Sequence, residues 1–247
     1  YIITYKYLRN EKHNLRLLMN YPNYESQEFY KFVLEFLEIL DIKQEDIIIA
    51  NEKHTYGELY VSSSYTHGVD SNLPPREEIY SLYDDILKKV NTDENNFDYP
   101  KKIYISRRTW IHNDFSNIGT NYTLKRKLTN EDELVELLSE NGYVEIFCEK
   151  LSTKDKIKTF FNAEKIIGSI GGGLCNVLFC EKKSKLISII SPTFLDVNSR
   201  FLYSFKNVSS IFFRLLSLLK LLKMFSRSNI LFPLLKILCI LRQVTGL

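Results

Sequence analysis

Residues 160–179 read FFNAEKIIGSIGGGLCNVLF, and this stretch decides the fold. Ile166, Ile167 and Gly168 are typical of a short buried strand, and a glycine triplet and a further apolar segment follow them. A strand, a glycine turn and a helix in that order are characteristic of a parallel sheet. The glycines let a ligand approach the backbone, and a helix start directs N–H groups at an anion. A tight turn chosen for packing is the alternative explanation.

Strand and helix patterns alternate on both sides of this stretch. The other predicted strands are Lys102–Ser106, Tyr143–Cys148 and Leu186–Ile190. Thr129 and Ser152 are capping residues, and each predicts the start of a helix between two of these strands. The helix that begins near Thr129 is predicted to end at Gly142. Strands separated by helices of about 10 to 15 residues indicate βαβ units. The sequence therefore predicts an α/β protein with a mostly parallel, Rossmann-like sheet in residues 99–200.

The preceding residues, 1–98, carry a less regular α/β pattern. Apolar positions predict amphipathic helices over 26–40 and 79–90, and Ile47–Ala50 and Glu58–Ser62 are predicted strands. The polar stretch 91–100 is the predicted linker. Because the chain opens at Tyr1 without a methionine, we expect this N-terminal lobe to be incomplete.

Charge is distributed unevenly along the 247 residues, although the net charge is only +3. Residues 197–247 contain eight basic residues and no acidic one, whereas residues 1–196 contain 25 basic and 30 acidic residues. The modest net charge disfavours a nucleic-acid-binding protein. A basic, apolar tail over 201–247 predicts helices in 208–243 that either lie on an anionic membrane surface or pack back across the lobes. No apolar run reaches the roughly 18 residues of a membrane span.

The ends of the predicted strands carry the candidate binding residues. Arg108 follows one strand directly, and Arg126 and the pair Asn130 and Glu131 come before the next helix. Two guanidinium groups at strand ends suit a diphosphate, because each donates two parallel hydrogen bonds to phosphate oxygens. A solvated basic loop is the alternative. Glu149 and Ser152 follow another strand, where helix capping by Ser152 is the favoured explanation.

The sequence lacks the motifs that mark several classes of catalytic and binding site. There is no P-loop, no Asp-x-Asp and no Gly-x-Ser-x-Gly, and the four histidines lack metal-ligand spacing. We therefore expect no built-in metal and no cofactor. The four scattered cysteines predict free thiols in a reducing, cytoplasmic compartment, and Cys175 is expected to be a small buried residue rather than a nucleophile.

Five motifs together resemble the family 61 glycosyltransferases. In chain order they are IYISRR (103–108), RKLTNEDEL (126–134), Gly142, EKLS (149–152) and FFNAEKIIGSIGGGLCNVLF (160–179). The resemblance covers about residues 24–195, because segments before the linker also match. The family includes bacterial capsular-polysaccharide enzymes and eukaryotic xylosyl- and N-acetylglucosaminyl-transferases.

The resemblance implies a GT-B-like architecture of two Rossmann-like lobes. It also implies inverting, metal-independent transfer from a nucleotide-sugar donor to a glycan acceptor, for a surface or capsular glycan. The free thiols predict a cytoplasmic protein, and the basic tail predicts that it is peripheral on the membrane if the tail helices do not pack back across the lobes. The implied residues of the nucleotide-sugar site are Arg108, Arg126, Asn130, Glu131, Glu149, Ser152, Gly171, Gly172, Gly173 and Asn176. The arginines would hold the diphosphate, and the glycines would form the phosphate-side turn.

Two positions depart from the family pattern. Ile170 stands where the family has a histidine before the glycines, and Ser188 stands where it has an acidic residue on the following strand. A histidine could donate to the departing phosphate, and a carboxylate at a strand end could hold the ribose hydroxyls. These departures predict slow or absent transfer. The alternative to an active enzyme is a degenerate member that binds a nucleotide, a glycan or a partner without catalysis.

Overall fold

The computed structural model describes residues 2–21, 27–50, 55–63, 76–91, 98–108, 128, 131–169, 171–180, 184–190 and 209–214. Its α-helices are α1 (Ile2–Arg9), α2 (Lys31–Ile39), α3 (Glu77–Asn91), α4 (Glu131–Glu140) and α5 (Thr153–Asn162). Its strands are β1 (Leu17–Met19), β2 (Ile47–Ile49), β3 (Lys102–Ile105), β4 (Val144–Ile146), β5 (Lys165–Ser169), β6 (Lys185–Ile190) and β7 (Ser209–Arg214). Short 3-10 helices cover Gln44–Asp46, Cys148–Lys150 and Gly173–Phe179.

A five-stranded parallel sheet organises the second half of the chain. Its strand order is β4-β3-β5-β6-β7, and every neighbouring pair is parallel. The central register aligns Ile105 with Gly168 and Gly168 with Ser188. The predicted parallel α/β sheet is thus confirmed, and the carboxyl ends of β3 and β5 lie side by side at one edge.

Both faces of this sheet are covered, because successive strand residues alternate between two cores. One core contains Tyr104 and Ile167 together with Leu134, Val135 and Leu138 of α4. The other core contains Ile103, Ile105, Ile166 and Leu186 and is covered by α5 and the 3-10 helix Gly173–Phe179. Strands buried on both sides explain why these segments are almost continuously apolar.

The N-terminal elements share the second of these cores. The strands β1 and β2 form a separate two-stranded parallel sheet. The ring of Phe179 stacks on Phe36 of α2 at a centroid distance of 6.3 Å and meets Tyr83 of α3 edge-on at 5.0 Å. Leu37, Ile86 and Val90 join the same hydrophobic cluster as Ile103 and Phe160. One continuous core therefore joins the two halves of the described chain.

The end of α4 shows how sequence dictates a local boundary. Gly142 has a φ of +78°, a conformation that glycine adopts at little cost. The N–H of Tyr143 donates to the carbonyl of Leu138 at 3.0 Å, which closes the last helical turn and lets the chain turn into β4. The predicted end of this helix at Gly142 is confirmed.

The predicted strand Glu58–Ser62 is wrong, because the structure has no strand over 55–63. Its apolar side chains are exposed, with Val61 85% and Leu59 57% accessible. A 2.7 Å hydrogen bond between the hydroxyls of Thr4 in α1 and Ser62, and a 3.0 Å ion pair between Lys12 and Glu58, hold the segment instead. Alternating residues are insufficient for a strand where no neighbouring strand pairs with them.

The predicted helix of the tail is wrong over the part that the structure describes. Residues Ser209–Arg214 form β7 and pair with β6, with Ser188 opposite Phe212. Their sequence, SSIFFR, suits either element by composition, and the open edge of β6 supplies the backbone partners that decide it. The rest of 208–243 lies outside the described residues. Within the described residues, no helix is both long and apolar enough to span a bilayer.

Two helix predictions need correction, one in its bounds and the other in its type. The helix predicted over 26–40 begins at Lys31, because Gln27 has a φ of +51° and residues 28–30 are not helical. The segment after the glycines is a 3-10 helix over Gly173–Phe179 and not an α-helix. Its N–H groups bond three residues back, as Leu174 does to the carbonyl of Gly171 at 3.0 Å.

Candidate functional site

The buried carboxylate of Glu131 joins the start of α4 to the carboxyl end of β3. Its Oε1 accepts hydrogen bonds from the Tyr104 hydroxyl at 2.8 Å and from the backbone N–H of Arg107 at 2.8 Å. The hydroxyl of Ser106 donates to the same oxygen at 3.4 Å. Only 3% of Glu131 is exposed, so the carboxylate faces the strand end and not the solvent.

The second oxygen of this carboxylate has no hydrogen-bond partner among the residues that the structure describes. Glu131 Oε2 is buried and unpaired, which is unusual because a buried polar atom without a partner costs roughly 1–3 kcal/mol. The helix N-terminus compensates in part, since acidic residues in a first turn interact favourably with the helix dipole. Glu131 is thus held by three donors on one oxygen, while the other oxygen interacts with the helix dipole alone among the described groups.

Arg108 is the centre of an ion-pair group beside this carboxylate. Its Nε donates to Glu145 of β4 at 2.8 Å, its Nη2 donates to the second oxygen of Glu145, and its Nη1 donates to Asp132 at 2.7 Å. These contacts use three of the five N–H groups of a guanidinium. The two carboxylates raise the pKa of Arg108 above its ordinary value.

The Tyr104 hydroxyl donates to Glu131 and is near the charges of Glu145 and Arg108. Burial is the main cause that raises the pKa of the Tyr104 hydroxyl, and the neighbouring Glu131 carboxylate adds to it. The phenol therefore remains a hydrogen-bond donor at every working pH. Three carboxylates and one guanidinium meet here, so the described group is negatively charged around the arginine that the sequence assigned to a diphosphate.

The glycine turn lies on the opposite face of the sheet, beside Ile105. A Cβ on Gly168 would lie 2.9 Å from Ile105 Cβ, and one on Gly173 would lie 3.2 Å from Ile105 Cγ2 and 3.3 Å from Cys148 Sγ. Gly172 differs, because a Cβ there would meet nothing within 4 Å. Close packing thus explains why glycine stands at 168 and 173, which agrees with the alternative of a tight turn chosen for packing. Packing gives no reason for glycine at 172.

Side chains near the turn hold its carbonyl groups. The Asn176 amide donates to the carbonyl of Gly173 at 2.8 Å, and the Cys175 thiol donates to the carbonyl of Gly171 at 3.5 Å. Burial raises the pKa of the Cys148 thiol to about 12. Cys148 is consequently a protonated, buried packing residue, and Asn176 stabilises the turn itself.

Ser152 caps α5, as predicted. Its hydroxyl accepts from the N–H of Asp155 at 3.0 Å and donates to the Asp155 carboxylate at 2.6 Å. Glu149 lies in the 3-10 helix directly after Cys148, which contacts Gly173. Glu149 and Ser152 therefore belong to the side of the glycine turn, and not to the side of Arg108.

Sequence reasoning missed the role of Glu35 on α2. Its Oε2 accepts from the backbone N–H of Thr153 at 3.0 Å and from the Thr153 hydroxyl at 2.5 Å. This carboxylate supplies a second cap to α5 from a residue that is distant in sequence. No local pattern could have identified it, because the contact exists only after α2 packs against α5.

Four of the predicted positions remain to be placed. Arg126, Asn130 and Ile170 lie outside the described residues. Ser188 does not lie at a strand end, because β6 continues to Ile190. Its hydroxyl is fully buried and has no hydrogen-bond partner in the described part of the chain, so the position is in the sheet interior and cannot reach a ribose in this arrangement.

The geometry defines a parallel α/β protein in which the Glu131 and Arg108 group lies at the end of β3 and the glycine turn follows β5. That is the edge at which such sheets bind their ligands. The family model for glycosyltransferase 61 matches residues 12–187, which span both halves of the described core. The chain belongs to the glycosyltransferase 61 family, and glycosyl transfer is its class of activity. No curated protein matches the chain significantly.

Proposed function

We propose that this chain transfers a sugar from a nucleotide-sugar donor to a glycan acceptor, with inversion at the anomeric carbon and without a metal ion or other cofactor. The observation that carries the proposal is the family match over residues 12–187, which includes the strand ends of the parallel sheet. Two arrangements at that edge are compatible with it, namely the open glycine turn and Arg108, which keeps two N–H groups beyond its contacts with Glu145 and Asp132.

In the proposed site, both arrangements bind the diphosphate of the nucleotide-sugar. Two N–H groups of the Arg108 guanidinium are not used by the described contacts and can donate to phosphate oxygens. Arg126 would hold the diphosphate together with Arg108, as a clamp of two arginines. Gly172 has open space where a side chain would stand, so a phosphate can approach the backbone there. Gly171, Gly173 and Asn176 would shape this turn, and Asn130, Glu149 and Ser152 would line the nucleotide side.

Thermal stabilisation by a panel of nucleotide sugars tests binding. A ligand at 100 times its dissociation constant stabilises the folded state by about 2.7 kcal/mol, which is a readily measured shift in melting temperature. The nucleoside diphosphate that binds should bind roughly 2–3 kcal/mol more weakly to Arg126→Ala in calorimetry. Arg16→Ala is the matched control, because the exposed Arg16 side chain contacts only the carbonyl of Glu45 among the bonds described. Equal affinity of Arg126→Ala and the wild type would contradict the clamp.

Transfer itself is tested with the donor that binds best. Nucleoside diphosphate should be released faster when an acceptor glycan is present, and proton NMR of the first product should show the anomeric configuration opposite to that of the donor. Chelator should leave the rate unchanged. Retention of configuration, or loss of activity in chelator that a divalent cation restores, would refute the corresponding part of the proposal.

A catalytically degenerate member is the second candidate function. It is favoured by Ile170, which cannot donate to a departing phosphate, and by Ser188, whose hydroxyl is buried inside the sheet. In that case a nucleotide sugar raises the melting temperature but no product forms with any acceptor. Ile170→His should then restore measurable turnover, since one positioned donor contributes about 10²–10³ in rate.

A further inference from the structure

We propose that Glu131 is the positioning residue of the site: it fixes the turn at Ser106–Arg108 through hydrogen bonds and does not itself contact the nucleotide-sugar. The inference rests on the proposed function for its link to binding, but its structural part stands without a ligand. It changes the role of Glu131 from a residue of the nucleotide-sugar site to one that acts through Arg108.

The contacts of Glu131 are directed at the backbone and side chains of the turn. Its Oε1 accepts from the N–H of Arg107 and from the Ser106 hydroxyl. The Ser106 oxygen in turn accepts from the N–H of Arg108 at 3.2 Å. One carboxylate oxygen thus reaches three consecutive residues, two directly and the third through a hydroxyl.

Burial argues that this carboxylate is not a substrate contact. Glu131 is 3% exposed and lies on the side of the strand end that α4 covers, with the Tyr104 hydroxyl against it. A general base or a ribose-binding carboxylate must present an oxygen to the ligand. Here the bonded oxygen already accepts three donors, and the other oxygen is enclosed.

The same helix turn places the guanidinium. Asp132, which follows Glu131, accepts from Arg108 Nη1 at 2.7 Å, while Glu145 holds the opposite part of the group. The first turn of α4 therefore orients the backbone of the arginine turn with one residue and its side chain with the next. If Glu131 is lost, the N–H of Arg107 loses its acceptor, and the Ser106 hydroxyl, which accepts from the N–H of Arg108, loses the carboxylate that orients it.

The variants are Glu131→Ala and Glu131→Gln, with Glu133→Gln as the control. Glu133 is exposed in the same acidic first turn, so it matches the charge change without the contacts. Tyr104→Phe is a milder second variant, because it removes one donor to Glu131 and keeps the ring in the core. It remains informative if Glu131→Ala does not fold.

Amide hydrogen exchange at residues 106–108 is the readout that needs no ligand. We expect faster exchange in Glu131→Ala, a smaller increase in Glu131→Gln and Tyr104→Phe, and no change in Glu133→Gln. Calorimetry with UDP and GDP gives the link to function. Glu131→Ala should bind the recognised diphosphate at least tenfold more weakly, whereas Glu131→Gln, which keeps an acceptor oxygen, should remain within about threefold of the wild type.

Each contrary result has a distinct meaning. If neither UDP nor GDP binds the wild type, the diphosphate part of the proposed function fails, while the exchange data still decide the structural part. If Glu131→Gln loses as much affinity or turnover as Glu131→Ala, with exchange unchanged in both, Glu131 contacts the substrate and the inference is overturned. Faster exchange in Glu131→Ala with unchanged affinity for a diphosphate that binds the wild type also overturns it.

Discussion

Gly172→Ala separates the two explanations of the glycine triplet, packing and ligand approach. The residue has φ and ψ of −54° and −39°, which alanine adopts without strain, and its Cβ would meet nothing within 4 Å. Replacing glycine at such a position removes conformational freedom from the unfolded chain and stabilises the fold by about 0.4–1 kcal/mol. We therefore expect an equal or slightly raised free energy of unfolding.

Gly168→Ala is the matched control, because packing demands glycine there. Its Cβ would lie 2.9 Å from Ile105 Cβ and 3.3 Å from the Ile105 carbonyl oxygen. The backbone of a central strand cannot retreat without disturbing β3, so we expect a loss of about 1–3 kcal/mol from overpacking. The two substitutions add the same methyl group and should change stability in opposite directions.

Urea denaturation followed by circular dichroism measures the change in stability of both variants. Calorimetry with the best-binding nucleoside diphosphate measures the change in affinity. If a phosphate approaches the backbone at Gly172, the new methyl group should weaken binding by tenfold or more while stability is retained. A loss of more than 1 kcal/mol in stability for Gly172→Ala would show that packing demands glycine there and would refute the open space beside it. Retained stability with unchanged affinity refutes the placement of the phosphate at this turn.

Three further predictions concern stability. Arg108→Ala should lower the free energy of unfolding in urea by about 1–3 kcal/mol, because Glu145, with 15% of its side chain exposed, loses its guanidinium partner. Adding Glu145→Gln to this variant should recover part of that loss, and no recovery would contradict the pairing. Ser188→Ala should leave stability equal or raise it by up to about 1 kcal/mol, because the buried hydroxyl has no hydrogen-bond partner among the described residues. Ser184→Ala removes a 2.7 Å hydrogen bond to a carbonyl and should be destabilising. The reverse order of stabilities would show that Ser188 has a partner. Because burial raises the pKa of Cys148 from 9.0 to about 12, the unfolded chain loses this proton first, and stability should fall as pH rises from about 9 to 12, by up to roughly 1.4 kcal/mol per pH unit. Cys148→Ala should show a shallower decline over that range, and an equal slope would mean that folding does not raise the pKa of this thiol.

Local patterns predicted most of the sheet. The apolar runs at β3, β5 and β6 and the helices α4 and α5 were identified because each is bounded by its own signal, such as Ser152 or Gly142. The prediction failed at Glu58–Ser62 and at β7, where the sequence is compatible with more than one element. In both places the presence or absence of a neighbouring strand decides the structure, and a one-dimensional pattern carries no information about neighbours.

The candidate site divides in the same way. Sequence motifs drew attention to Arg108, Glu131 and the glycines, since these residues follow predicted strands. Their partners are Glu145, 37 residues from Arg108, and Tyr104, 27 residues from Glu131, and neither pair is implied by spacing. The sequence likewise could not separate Gly172 from Gly173, because the difference is the distance from Ile105.

By itself, then, the sequence determined the alternation of strands and helices, the parallel sheet and the family. These depend on residues close together in the chain, whose periodicity and caps act before any tertiary contact forms. Only the tertiary structure decided which carboxylates hold Arg108, which glycine has open space beside it and that residues 209–214 extend the sheet. Those outcomes depend on burial and on hydrogen bonds between distant segments, which exist only when the strands are side by side.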